Sequence, residues 1–163
     1  MTHPTVRRIG FAYNPTNEAA VELSARASGW CQVRNIGEWQ AQSSDLERLR
    51  EELPTTDALV VLGGDGTFLR AARAVAEIDV PLLGINLGKV GFLSKAEATE
   101  LEAVLARIVA GDYTIDERMV LEGRILRGGG VGEDAADRHI ALNDIVVARG
   151  SLARVCRLDV SID

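Results

Sequence analysis

The chain has 163 residues, is 47% hydrophobic and carries a formal charge of −6, enough length for one full core with part of a second domain and too apolar for a disordered chain. No run approaches the ~20 apolar residues of a membrane span, and residues 1–8 lead into a short strand, not a signal peptide. The acidic balance argues against a nucleic-acid footprint, which needs a basic face, so the expectation is a cytoplasmic protein with neither membrane nor nucleic acid as partner.

Cys31 and Cys156 lie far apart, with no CxxC or Cys/His spacing, which implies neither a disulfide framework nor zinc and leaves both as buried apolar residues. Arginine supplies 16 of the 18 cations, and a guanidinium fork suits a local anion site better than lysine does.

In chain order, Ile9 to Tyr13 reads as a first strand, and Asn14-Pro15-Thr16-Asn17 supplies turn and cap chemistry. A helix is expected from Glu18 to Ala27, closed by Gly29, then a second, weaker strand from Trp30 to Ile36 and a polar connection from Gly37 to Ser44. Leu46, Leu49 and Leu53 mark a helix from Asp45 to Leu53, which Pro54 ends. Trp30 and Trp39 read as packing residues.

Next comes Ala58-Leu59-Val60-Val61-Leu62, too short for a helix and rich in β-branched residues, the pattern of a strand buried on both faces. Gly63, Gly64, Asp65, Gly66 and Thr67 follow at once. Missing Cβ atoms let a phosphate or ribose lie against the main chain, and the carboxyl end of such a strand is where open α/β sheets place ligands. From Thr67 the spacing is helical, so the turn opens onto a helix N-terminus. A bare N-cap would also put an acid there. Three glycines spent on one acid exceed what a cap needs.

Leu82 to Ile85 is a further strand, ending in a second glycine-punctuated loop, Asn86-Leu87-Gly88-Lys89-Val90-Gly91-Phe92-Leu93. Two such loops at one sheet edge outline a pocket. Leu101, Val104, Leu105, Ile108 and Val109 stripe a helix that Gly111 ends. Strands alternating with helices imply parallel pairing, hence a Rossmann-like three-layer α/β domain over residues 1–115. Beyond it the pattern is strand after strand: Met119 to Leu126, Ile140 to Val147 and Arg154 to Ile162, with a glycine and acid connection over 128–137. Residues 116–163 therefore read as the start of an all-β domain. His139, with no metal or catalytic partner at motif spacing, reads as a surface residue.

Together, Gly63-Gly64-Asp65-Gly66-Thr67, the loop from Asn86 to Leu93, Glu117-Arg118-Met119 and Ala141-Leu142-Asn143-Asp144 resemble the NAD kinases, the ATP-dependent enzymes that make NADP. The glycine-aspartate turn is shared with diacylglycerol and sphingosine kinases and with phosphofructokinases; the second loop and the Asn143-Asp144 pair single out NAD kinase. The resemblance implies NAD and ATP as partners, Mg²⁺ or another divalent cation arriving with ATP, no dedicated metal cage, and a full-length homodimer or homotetramer. It makes Asp65 the general base toward the 2′-hydroxyl of the adenosine ribose, with Gly66 admitting the sugar. Gly63, Gly64, Gly66 and Thr67 form the phosphate turn, Asn143 and Asp144 hydrogen-bond the dinucleotide, Arg70 and Arg154 are basic contacts, and Phe92 and Leu93 wall the adenine.

Read without the resemblance, Asn143-Asp144 is a turn or bulge in an apolar strand, Arg70 a solvated helix face and Arg154 the polar face of an edge strand. Lys89 carries no assignment. A carboxylate is a weak base at neutral pH, so position counts for more than basicity. NAD kinases continue past residue 163, so residues 1–163 alone are expected to be weakly active or inactive. Two rivals stay open: a lipid or sugar kinase of the same superfamily, which keeps Asp65 without needing the second loop, and a non-catalytic nucleotide-binding module.

Overall fold

The computed structural model describes residues 5–76, 78–88, 93–125 and 138–146. The strands are β1 (Arg8–Tyr13), β2 (Gly37–Gln42), β3 (Ala58–Leu62), β4 (Leu82–Asn86), β5 (Ala96–Glu97), β6 (Leu121–Arg124) and β7 (Arg138–Ala141); the helices are α1 (Glu18–Val33), α2 (Leu46–Glu52), α3 (Asp65–Val75) and α4 (Leu101–Val109). The first five strands form one sheet in the order β2-β1-β3-β4-β5 with every pair parallel. β6 and β7 pair antiparallel as a separate ribbon.

β3 is buried at every residue because it sits mid-sheet with a helical layer on each face. Its alternate side chains divide between two cores. Val60 and Leu62 pack with Phe11, Ile85 and residues of α1 and α4, while Leu59 and Val61 pack with Trp39, Leu49, Leu53 and the Phe68, Ala71, Ala72, Val75 stripe of α3. The expected three-layer α/β domain is what forms. Gly111, at φ 74°, ends α4 as anticipated.

Three expectations need correction. α1 does not stop at Gly29; it runs to Val33. Ala20, Leu23, Ser24, Ala27, Ser28 and Cys31 are its buried residues, an unbroken i, i+3, i+4 stripe in which Gly29 falls on the exposed side. Burial along that stripe outweighs a glycine penalty of about 1 kcal/mol. The stop comes at Asn35, φ 55°, where Asn35 N–H donates to Gln32 O (3.2 Å) and Ile36 N–H to Cys31 O (3.1 Å), a Schellman motif with asparagine in the glycine position.

The second strand is consequently not Trp30 to Ile36 but β2, in the segment expected to be polar connection. β2 is a sheet edge, so only Trp39 and Ala41 are buried. Its polar residues face α1: Ser28 Oγ donates to Glu38 Oε1 at 2.8 Å and Ser24 to Gln40. Trp39 Nε1 donates to Thr56 Oγ1 at 2.8 Å within the core.

β6 lies inside the predicted Met119 to Leu126 strand, whereas β7 starts at Arg138, two residues before the predicted Ile140 to Val147 strand, shares only Ile140 and Ala141 with it, and ends before the Asn143-Asp144 pair. Glu122 joins the two, accepting from Arg124 Nε (2.7 Å) and Arg138 Nε (2.9 Å), and these guanidinium bonds hold its carboxyl below the usual carboxylate value. The predicted Arg154 to Ile162 strand, the 128–137 connection, Lys89 and Cys156 lie outside the described residues. β5, two residues long, had no sequence signal of its own.

Candidate functional site

The carboxyl ends of β3 and β4 carry the candidate site, and its centre is the turn between β3 and α3. Gly63 is buried with φ 155°, and a Cβ there would meet Thr67 Oγ1 at 2.7 Å and Thr67 Cβ at 2.9 Å. Glycine at 63 is thus demanded by the fold itself. Thr67 is buried beneath it, which makes Thr67 a packing support for the turn. Gly63 N–H donates to Ile85 O at 3.0 Å, tying the turn to β4.

Gly64 and Gly66 differ. Both are exposed, and among the described residues an added Cβ would meet nothing within 4 Å at either. Gly64 caps α3 without any side-chain hydrogen bond, so the exposed backbone of Gly64 and Gly66 lies at the positive dipole end of α3.

Asp65 opens α3 and is half-buried. Its Oδ1 accepts from the main-chain N–H of Leu93 at 3.2 Å, so the structure brings the first glycine turn and the end of the second loop into direct contact. The second loop begins at Asn86, buried at the end of β4, whose Oδ1 accepts from Gly88 N–H at 3.3 Å, an Asx turn. Leu93 is partly buried and packs against the core that holds Phe68 and Val61.

Arg70 is exposed on α3; five residues from Asp65 puts it about 140° round the helix. Asn143 and Asp144 are exposed just past β7, with Asn143 Nδ2 donating to Asp144 Oδ1 at 3.1 Å. The residue before them, Leu142, packs on the same core as Leu93 and Phe68, which brings the end of β7 to the α3 side of the sheet. Phe92 and Arg154 lie outside the described residues.

Two contributors escaped the sequence reading. One is the Leu93 amide, a main-chain group that no residue type announces. The other is Ser94, 3% exposed, with an Oγ that has no hydrogen-bond partner among the described residues; it wedges the segment after Leu93 against Gly84. Among the described residues no group of three or more His, Cys, Asp or Glu gathers as a metal site, and no helix is long and apolar enough to cross a membrane.

Residues 5–113 match the family described as "ATP-NAD kinase N-terminal domain". The chain is 37% identical over 161 residues to an NAD kinase of Heliobacterium modesticaldum, covering 94% of this chain and 56% of that protein. An NAD kinase of Moorella thermoacetica is 50% identical over 113 residues, 69% of this chain and 35% of that protein. The chain thus spans about half the length of the curated relatives that match most of it. A crystal structure of yeast NADH kinase complexed with NADH shares the fold, with a TM-score of 0.62 at 18% identity, over 85% of this chain and 47% of that one. With two-thirds of its length matched to that domain model, the chain belongs to the NAD kinase family.

Proposed function

We propose that the whole protein transfers the γ-phosphoryl group of ATP to the 2′-hydroxyl of the adenosine ribose of NAD, giving NADP. The observation that carries this reading is the pairing of exposed, side-chain-free backbone at Gly64 and Gly66 with a carboxylate, Asp65, held on the Leu93 amide. Asp65 takes the hydroxyl proton as the ribose oxygen bonds to the γ-phosphorus and the bond to the ADP oxygen breaks. Gly64, Gly66 and the α3 N-terminus receive phosphate or sugar at the main chain, with Gly63 and Thr67 shaping the turn from beneath. Asn143 and Asp144 hydrogen-bond the dinucleotide, Arg70 and Arg154 add positive charge, and Phe92 and Leu93 flank the adenine.

Membership of the NAD kinase family supports NAD as acceptor over a lipid or sugar. The divalent cation enters with ATP as part of the substrate: one carboxylate at the turn suits an ion liganded mainly by phosphates and water. The same reading divides the chain at 115/116, places the protein in the cytoplasm, and makes the full-length form a homodimer or homotetramer. Residues 1–163 alone are weakly active or inactive in it. A coupled assay for NADP formation tests the proposal on the full-length protein and on residues 1–163. Turnover of NAD by the former supports it, whereas phosphorylation of diacylglycerol or a fructose phosphate in place of NAD overturns it, as does calorimetric NAD binding without turnover.

A further inference from the structure

Both ends of the Asp65–Leu93 hydrogen bond stand on one strand. On the α3 side, Gly63 N–H is fixed to Ile85 O of β4 at 3.0 Å, and the Phe68 ring lies against Gly84 of β4, where a Cβ would be only 3.0 Å from it. On the other side, Lys95 N–H donates to Gly84 O at 3.1 Å, and Ala96 and Glu97 pair with Ile85 and Asn86. Ser94, between them, presses its Cα to 3.1 Å from the same missing Cβ. The segment 93–95 is therefore strapped to the sheet, and the separation of the Leu93 amide from the Asp65 carboxylate is set by packed β structure. A donor placed so rigidly favours one rotation of the carboxylate about its Cβ–Cγ bond, a torsion that is otherwise broad in aspartate.

We infer that the main-chain amide of Leu93 is a positioning group for phosphoryl transfer: it aims the Asp65 carboxylate, while the side chain of the same residue meets the adenine. This rests on the function proposed above and deepens it. Adenine and the reacting 2′-hydroxyl belong to one nucleoside, so a single residue sets both where the base stack is seated and where the proton acceptor points. Recognition and chemistry are thereby held in register by the protein, before substrate arrives.

The test replaces Leu93 in the full-length protein by its α-hydroxy analogue, which converts the N–H to an ester oxygen and leaves side chain and chain path in place. The kcat for NADP formation falls about tenfold to a hundredfold, the scale of a small misplacement of a reacting group, while KM for NAD stays within about threefold. Unchanged kcat overturns the inference, as does a fall in melting temperature with kcat of the folded protein retained, since that is the signature of a merely structural amide. Asp65→Asn in parallel separates the two layers. If it loses turnover while the ester does not, Asp65 stands as the base and the amide's role is wrong; if Asp65→Asn is fully active, the base assignment fails and the inference falls with it.

Discussion

At the scale of single residues, the turn separates what the fold needs from what it leaves open. Asp65→Asn in the full-length protein is expected to cut kcat by about 10²- to 10⁴-fold, the usual worth of a positioned proton acceptor, with the melting temperature little changed; a coupled NADP assay beside a thermal melt checks both. Gly66→Ala is expected to move stability and activity in opposite directions. An added methyl meets nothing within 4 Å among the described residues, and alanine inside a helix gains roughly 0.5–1 kcal/mol over glycine, yet it occupies the face proposed for the sugar, so denaturant melts rise while turnover falls. Cys31 offers a pH test. Burial in the core, with Glu38 adding and Arg34 opposing, pushes its thiol up to about 11 from an ordinary 9.0. The unfolded chain therefore loses the Cys31 proton first as pH rises, and stability should decline between pH 9 and 11. Cys31→Ala, compared with the parent by urea melts across that window, should flatten the decline.

At the scale of elements, the errors of the sequence reading share a cause. Local composition marks Gly29 as a stop and residues 37–44 as loop; α1 and β2 exist because they complete each other. Ser24 and Ser28 are buried only where Gln40 and Glu38 accept their hydroxyls, and a periodicity count sees serine as polar. By contrast β3, α3, β4 and α4 were legible, since each carries an apolar pattern matching its own period. The packing of residues 93–95 on β4 yields a further expectation. Gly84→Ala drives a methyl to 3.0 Å from the Phe68 ring and Ser94 Oγ and should cost about 1–3 kcal/mol of overpacking. Ser94→Ala, which deletes a buried hydroxyl unpartnered among the described residues, should be neutral or stabilise by up to about 1 kcal/mol; chemical denaturation of the two variants decides.

At the scale of the whole molecule, the two halves differ in burial. The five-stranded sheet is covered on both faces, whereas Ile115, Met119, Val120, Leu121, Ile125, Ile145 and Val146, in and around the β6–β7 ribbon, are exposed. Apolar surface gathered in one region marks an interaction face or an association liability. Residues 1–163 should accordingly bind a hydrophobic dye more strongly and self-associate more readily than residues 1–115, with the shorter chain retaining a cooperative melt; dye titration and sedimentation of the two compare them. The amino-acid order alone determined the strand–helix alternation, the buried central strand, the position of the glycine-aspartate turn and the family it resembles, because those reside in spacing along the chain. Only tertiary structure decided where α1 ends, which polar segment becomes the sheet edge, that Thr67 supports the turn from below, and that a main-chain amide 28 residues away holds the acid. Such features depend on which surfaces meet in space, and a backbone N–H is the same in every residue but proline.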